Sequence, residues 1–462
     1  MAPKFGTSGL RGLVAELTDP LCASYAEAFL GMTETDGSVL IGRDLRASSP
    51  RIAAAVAAGA ARLGLRAVDC GVLPTPALAL AAEARGTAAV MVTGSHIPDD
   101  RNGLKFYTAR GEITKADETA IAEAQAALGT PAVDPAPLEP DNGAAASYAG
   151  RFTGFFAADA LAGLRIGVYE HSSAARDILA DVLRALGAET VALGRADRFV
   201  PVDTEAVDTG TRAMLANWAS EHRLDSIVST DGDADRPMVT DASGKVVPGD
   251  ILGPLTARYL RADTVVTPVT SNSLVDMMGG FAVTRTKIGS PFVIAGMEAL
   301  RPAMVVGYEA NGGFLTGFTA LRDGKSLPPL LTRDSLLPIL APLALARQTG
   351  KGLADLVAAL PPRRTAADRL TEVPTELSAG LVARLEADER LRDRLCPGLG
   401  ALAGLDLTDG CRMRFTGGAV VHLRPSGNAP ELRVYVEAGD DAAAGAILAD
   451  VLARVRTEVA VG

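Results

Sequence analysis

Three carboxylates alternate with small residues in Ser229-Thr-Asp231-Gly-Asp233-Ala-Asp235-Arg236-Pro237, directly after the apolar pair Ile227-Val228. Carboxylates gathered this closely repel one another unless a cation sits among them, and Gly232 and Ala234 let the chain fold tightly around one. An all-oxygen ligand set favours Mg²⁺ over softer metals. A calcium EF-hand is excluded, because its loop needs Gly at the sixth position and Glu at the twelfth, where this chain has Arg236 and Ala242. An acidic surface turn is the bland alternative, but this stretch adjoins a buried strand and carries Arg236.

A second stretch offers a nucleophile. The apolar run Ala88 to Val92 reads as a buried strand that stops at Thr93-Gly94, and Ser95, His96 and the stiff Pro98 follow. Asn102-Gly103 reads as a second turn that delivers Lys105. A hydroxyl at the end of a buried strand with a cation close by is a common arrangement for chemistry in α/β proteins, although an ordinary polar loop has the same composition. Phe5-Gly-Thr-Ser-Gly-Leu-Arg11-Gly12 is a flexible, donor-rich loop able to wrap a phosphate. Leu423-Arg424-Pro-Ser426-Gly-Asn428-Ala-Pro-Glu431-Leu-Arg433 places two Arg, a hydroxyl and an amide in one tight loop, a cradle for an anion or a hairpin with solvated arginines. Val305-Val-Gly-Tyr-Glu309-Ala-Asn311-Gly-Gly313 leaves an apolar strand with two groups that can accept hydrogen bonds from sugar hydroxyls. Lys287, in Thr286-Lys-Ile-Gly289, adds a cation in a glycine turn. A nucleophile, a metal site, a polyol-reading loop and phosphate-reading arginines together are what phosphoryl transfer needs, since its catalysis is mostly positioning and charge stabilisation.

The elements that must hold these groups recur. Strands are expected at Ser38 to Gly42, Arg66 to Asp69 and Ala88 to Val92, with a helix capped by Ser49 running to about Leu63 and another from about Ala77 to Arg85. Leu164 to Tyr169 is a strand, Glu170 to Ser173 its loop and Ala174 to Leu186 a helix before the strand Glu189 to Leu193. Thr264 to Val269, Thr270 to Ser273 and Leu274 to Met278 repeat strand, Ser-bearing loop and helix start. These starts lie ~100–125 residues apart, which suits tandem α/β domains and not a solenoid. Gly129 to Gly143 is the best linker. After Gly350 to Pro374 the character changes: a helix near Glu376 to Arg394, strands Cys411 to Thr416, Ala419 to Leu423 and Leu432 to Glu437, and a closing helix from Asp441 to about Val459. The fold class expected is therefore α/β, three similar α/β domains (1–145, 146–248 and 249–365) plus a smaller C-terminal α+β domain (366–462).

Composition narrows the partners. The 462 residues carry a formal net charge of −10 with both signs mixed along the chain, which argues against nucleic acid but leaves room for a local cationic pocket. Cys22, Cys70, Cys396 and Cys411 form no metal-ligand spacing, so a reducing cytoplasm is expected. The Ala-rich run from Ile52 to Ala61 is too short for a bilayer, which needs ~20 residues, so no membrane role is expected.

These motifs resemble those of the α-D-phosphohexomutases, and most closely the phosphomannomutase branch. Thr93-Gly-Ser95-His96 through Lys105 resembles the phosphoserine loop, Asp231 to Arg236 the Mg²⁺ loop, Gly307 to Gly313 the sugar-specificity loop, and Arg424 to Arg433 the phosphate-binding loop, in the family's order. Gly6 to Gly12 and Gly42-Arg43-Asp44-Leu-Arg46 also look like family signatures. The resemblance implies four domains around a central cleft, and movement of a phosphoryl group between O6 and O1 of a hexose. It implies that Ser95 carries the phosphoryl group and that Asp231, Asp233 and Asp235 hold Mg²⁺ with an oxygen on Ser95. Lys105, a candidate proton shuttle, and Arg11 would sit near the reacting phosphate. Glu309 and Asn311 would grip ring hydroxyls, with Lys287 and Arg236 as further substrate contacts. Arg424, Ser426, Asn428 and Arg433 would hold the phosphate that is not reacting. His96, beside the nucleophile, would belong with Ser95, Lys105 and Arg11 to the catalytic set. A hexose phosphate is the implied partner, a hexose 1,6-bisphosphate the activator, and a monomer or homodimer the implied state.

The chain departs from the family pattern at Ile97 (commonly Asn), Asn311 (commonly Ser), Gly313 (often His) and Asn428-Ala429 (commonly Thr-Glu). The sugar-loop changes fit poorly with the Gln-Ser-Gly-His form of phosphoglucosamine mutases. Mannose phosphate is the expected substrate, with glucose phosphate or both sugars as alternatives. A non-catalytic sugar-phosphate-binding paralogue is a rival of another class, opposed by the intact Ser95 and Asp trio. A serine hydrolase is opposed by the missing G-x-S-x-G elbow and by only four histidines, His96, His171, His222 and His422.

Overall fold

The computed structural model describes residues 3–6, 9–129, 132–141, 143–426 and 430–461. They form two compact units, one of residues 1–262 and 297–356, the other of 263–296 and 357–462.

In the first unit the largest sheet runs in the order Lys4–Phe5, Leu10–Leu13, Arg101–Thr108, Ala88–Val92, Ser38–Arg43, Arg66–Val72, Glu139–Pro140. The apolar runs are its buried centre: Ala88–Val92 is buried throughout and pairs parallel with Ser38–Arg43 on one side and antiparallel with Arg101–Thr108 on the other. Asp19–Gly31 and Ser49–Arg62 pack their alanine faces on this sheet. A second sheet of five strands centres on Arg165–Tyr169 and Ser226–Thr230, which pair parallel, and continues antiparallel through Pro237–Thr240. Val305–Tyr308, Phe314–Thr316 and Leu330–Asp334 form an antiparallel run that feeds the apolar helix Leu336–Thr349.

In the second unit Thr264–Pro268 pairs parallel with Ala282–Thr286. A five-stranded antiparallel sheet runs Arg364–Thr371, Glu431–Ala438, Val420–Pro425, Cys411–Phe415, Leu402–Asp406, with Asp441–Val461 packed on it. The loop after Thr264–Pro268 is fastened to that sheet. Ser273 gives both its N–H (2.9 Å) and its hydroxyl (2.5 Å) to the buried Glu437 carboxylate, whose other oxygen accepts from Arg412.

Several expectations need correction. Asn102-Gly103 is not a turn but the interior of the Arg101–Thr108 strand. Asn102 sits there because its amide donates to the hydroxyls of Ser48 and Ser49. Gly103 sits there because a Cβ would lie 2.2 Å from the Leu10 carbonyl oxygen. Ser49 is the first helical residue and Ser48 precedes it; the Ser49 hydroxyl donates to Asp44 instead of capping the helix. The helix placed near 376–394 is two, Thr375–Ala387 and Glu389–Leu395, divided at Asp388, whose carboxylate caps the second by accepting from the Leu391 N–H. The strands Arg364–Thr371 and Leu402–Asp406 were not expected, nor was Glu139–Pro140 within the linker segment. Among the described residues no helix is long and apolar enough to cross a membrane.

Candidate active site

Ser95 follows the buried strand Ala88–Val92 and takes a left-handed conformation, φ +54°. A non-glycine residue holds that conformation at a cost of about 1–2 kcal/mol unless its surroundings enforce it. Here Arg46 enforces it. Its buried guanidinium donates to the carbonyls of Ser95 (2.9 Å), Ile97 (2.6 Å), Pro98 (2.7 Å) and Arg101 (2.9 Å), and pairs with Asp44 at 3.1 Å. The loop wraps so closely that a Cβ on Gly94 would lie 2.7 Å from the guanidinium carbon. The Phe199 ring covers the guanidinium at 3.8 Å. Asp44 also accepts from the Thr93 hydroxyl at 2.8 Å, and that hydroxyl in turn accepts from the Ser95 N–H at 2.8 Å.

The hydroxyl so placed donates to Asp231 Oδ2 at 2.7 Å. Asp231, Asp233 and Asp235 follow the strand Ser226–Thr230, are fully buried, and bring carboxylate oxygens within 4.8 Å of one another. Ala234, at φ +58°, makes the turn that aims them inward, and its carbonyl accepts from Ser335. Asp231 Oδ1 accepts from the N–H groups of Asp235 and Arg236, both at 3.2 Å. Asp233 Oδ2 accepts from Thr75 (2.8 Å) and Lys105 (2.6 Å). Asp235 Oδ2 accepts from Lys105 and Arg333, both at 2.7 Å. Asp233 Oδ1 and Asp235 Oδ1 accept no hydrogen bond although both are buried. Buried carboxylate oxygens left without donors are what a bound cation satisfies. Three convergent carboxylates with two such atoms and no sulfur or imidazole fit Mg²⁺.

Burial and the two neighbouring carboxylates push the Asp231 carboxyl well above the ordinary range. Burial also works against ionisation of Asp233 and Asp235, but Lys105 holds the former below its usual value, and Arg333 and Lys105 hold the latter far below. Burial opposes charge on Lys105, yet Asp233 and Asp235 more than offset it and keep the ammonium above its ordinary pKa. Lys105, Arg236, Arg333 and Arg11 thus face the three carboxylates and Glu309, four cations against four carboxyls once Asp231 ionises, and a divalent ion would add the positive charge that a phosphoryl dianion offsets.

His96 lies beside the nucleophile, its Nδ1 3.3 Å from Ser95 Oγ; burial and Arg236 lower it to about 4, so the ring is neutral. Arg11, on the strand Leu10–Leu13, pairs in register with Gly103, and burial with Arg236 lowers its guanidinium to about 10. Arg236 lies 3.7 Å from Asp235. Glu309 belongs to the same assembly through Arg333, whose guanidinium is 3.4 Å from it. Asn311 Oδ1 accepts from the Gly313 N–H at 2.9 Å, and the loop closes through Gly312, whose N–H donates to the Glu309 carbonyl. The first unit therefore brings together Arg11, Ser95, His96, Lys105, Asp231, Asp233, Asp235, Arg236, Glu309 and Asn311.

Lys287, Arg424, Ser426 and Arg433 belong to the second unit; Asn428 lies outside the described residues. Arg424 and Arg433 stand directly opposite across the hairpin Val420–Pro425 and Glu431–Ala438. Like charges so paired are unfavourable without counterions, and suit an anion. Asp409 supplies one: it accepts from Arg424 at 2.9 Å and, through its other oxygen, from the Ile288 N–H at 3.1 Å. One carboxylate thus fixes both Arg424 and the turn that carries the exposed Lys287.

Arg333, Thr75, Asp409 and the packing roles of Asp44 and Arg46 were missed from sequence. For Arg333 a signal existed. Arg333-Asp334 interrupts a run from Leu327 to Ala346 that is otherwise without charge, and charges in such a run need buried partners.

Family models and full-length relatives converge on one family. Models of phosphoglucomutase/phosphomannomutase match in order: α/β/α domain I over residues 2–130, domain II over 146–244, domain III over 248–364 and the C-terminal domain over 372–454. A phosphomannomutase of Sinorhizobium fredii is 47% identical over 468 residues, spanning 98% of both chains. One of Salmonella muenchen is 42% identical over 98% of this chain and 96% of its own. A phosphoglucosamine mutase of Thermobifida fusca is 31% identical over the whole of both chains. A solved structure from Thermus thermophilus superposes with a TM-score of 0.79 at 25% identity over 99% of both chains. With three α/β/α domains, a C-terminal domain and full-length relatives of this likeness, the chain belongs to the phosphoglucomutase/phosphomannomutase family of α-D-phosphohexomutases.

Proposed function

We propose that this chain interconverts mannose 6-phosphate and mannose 1-phosphate through a phosphoserine at Ser95 and a hexose 1,6-bisphosphate. The observation that carries the reading is the Ser95 hydroxyl held 2.7 Å from Asp231 within the carboxylate cluster. The sugar is supported by the phosphomannomutases at 42% and 47% identity, against 31% for the phosphoglucosamine mutase.

Asp231, Asp233 and Asp235, with an oxygen on Ser95, would hold Mg²⁺, which supplies Lewis-acid stabilisation of the transferring group. Mannose O1 attacks the phosphorus; the bond to Ser95 Oγ breaks as the bond to O1 forms, and the O1 proton ends on Ser95 Oγ. Lys105 is the candidate to carry that proton, with Arg11 and Arg236 offsetting charge on the phosphoryl oxygens. The bisphosphate then reverses, and its other phosphoryl group returns to Ser95 by the same exchange. Glu309 and Asn311 hold ring hydroxyls, aided by Lys287. Arg424, Ser426, Asn428 and Arg433 hold the phosphate that is not reacting.

After priming with glucose 1,6-bisphosphate, mannose 1-phosphate, glucose 1-phosphate and glucosamine 1-phosphate are assayed side by side. The highest kcat/KM is expected for mannose 1-phosphate. A preference for glucosamine 1-phosphate, or binding of every sugar without interconversion, would overturn the reading.

A further inference from the structure

Arg333 is buried at the end of the strand Leu330–Asp334, where it faces Asp235 and Glu309 with Glu112 and Tyr107 nearby. One nitrogen of its guanidinium donates to Asp235 Oδ2 and another lies 3.4 Å from Glu309 Oε2. Its stem runs over Gly313, where a Cβ would sit 2.7 Å from Arg333 Cδ and 2.8 Å from Cγ. The backbone at Gly313 needs no glycine conformation, since its φ is not positive. The bare position is explained by the room the arginine stem takes. Gly313 also closes the loop, its carbonyl accepting from the Glu309 N–H at 3.1 Å and its N–H donating to Asn311.

We propose that Arg333 is a positioning residue that ties the sugar-reading carboxylate of Glu309 to the metal-binding carboxylate of Asp235, with Gly313 left bare to admit its stem. The sugar part rests on the reading of hexose phosphate as substrate; the tie to Asp235 does not. A planar fork suits this task because its two separate nitrogens each take one carboxylate and fix their spacing, whereas an ammonium such as that of Lys105 joins two carboxylates only at a single nitrogen. Its charge also has a definite effect on the metal cluster, because a cation beside Asp235 opposes binding of another cation.

The test uses the full chain with Arg333→Met, Arg333→Lys, Arg333→Ala, Gly313→Ala and the double variant Arg333→Ala/Gly313→Ala. Isothermal titration of the metal-free protein with Mg²⁺ is expected to give about tenfold tighter binding for Arg333→Met, because a competing positive charge is gone. Arg333→Lys keeps the charge and is expected to bind Mg²⁺ as the parent does. Both variants are expected to raise KM for mannose 1-phosphate about tenfold with a smaller change in kcat, since each leaves Glu309 without its fork. A merely structural role would instead weaken Mg²⁺ binding and lower kcat in both. Gly313→Ala is expected to raise KM in the parent and to add less than that in an Arg333→Ala background, because the truncation removes Cγ and Cδ from the shared space and leaves only the Arg333 Cβ, 3.0 Å from the new methyl. Weaker Mg²⁺ binding by Arg333→Met, an unchanged KM in both Arg333→Met and Arg333→Lys, or additive effects of Gly313→Ala and Arg333→Ala would overturn the proposal. If the parent interconverts no hexose phosphate, the proposed function fails, while the Mg²⁺ titrations still decide the tie to Asp235.

Discussion

At Ser95 the backbone is left-handed because one arginine holds four surrounding carbonyls. Lysine carries the same charge but presents no planar fork, so Arg46→Lys would strand several of those carbonyls in a buried site. Each buried carbonyl left without its donor costs about 1–3 kcal/mol. The expected outcome is a loss of that order in a chemical denaturation midpoint series, with turnover falling further than stability alone explains; unchanged turnover would show that Arg46 does not shape the nucleophile loop. Ser95 and the three aspartates were legible in the sequence because each motif is local, a few residues after an apolar strand. Arg333, Thr75 and Asp409 were not, because what gives them meaning is a partner 98 to 158 residues away: Thr75 meets Asp233, Arg333 meets Asp235 and Asp409 meets Ile288.

Among the elements, two of the strands missed from sequence share one feature. Arg364–Thr371 and Leu402–Asp406 are the two edges of the C-terminal sheet, and neither shows the alternation of apolar and polar residues that marks a half-buried strand. Buried central strands such as Ala88–Val92 were read correctly for the opposite reason. Asn102-Gly103 misled because that dipeptide usually makes a turn, whereas here side-chain bonds to Ser48 and Ser49 and the closeness of Leu10 hold it extended. Gly103→Ala is therefore expected to destabilise the fold by about 3 kcal/mol by forcing the Leu10–Leu13 strand away, measured by denaturation. A neutral result would contradict the close approach. In the second unit, Asp409→Ala removes the carboxylate shared by Arg424 and the Lys287 turn. KM for mannose 1-phosphate is expected to rise while Mg²⁺ affinity stays at the parent value. A change in Mg²⁺ affinity would show that Asp409 acts on more than the loops it touches.

Across the whole molecule, buried imidazoles set a limit on acid stability. His171 and His422 are both lowered to about 4 by burial, each with Nε2 facing a backbone carbonyl, of Thr230 at 2.9 Å and Asp409 at 2.6 Å respectively. Above the unfolded value of about 6.5 both states are neutral and neither residue affects stability. Between that value and about 4 the unfolded chain binds protons that the folded chain refuses, so stability falls as pH falls, by up to roughly 3 kcal/mol per residue. The denaturation midpoint is expected to drop from pH 7 to pH 5, and His422→Gln to flatten that dependence; an equally steep profile in the variant would assign the loss to other groups. At this scale the sequence read well. The repeated strand, Ser-bearing loop and helix units foretold three α/β domains, and the altered tail foretold a different fourth.

The central claim is that Ser95 carries the phosphoryl group, and phosphopeptide mass spectrometry tests it most directly. After incubation with glucose 1,6-bisphosphate and Mg²⁺, one added phosphate is expected on the peptide containing Ser95, removed on chasing with mannose 6-phosphate, and absent from Ser95→Ala, which should also lose turnover. Phosphate on another residue, or full turnover in Ser95→Ala, would contradict the account.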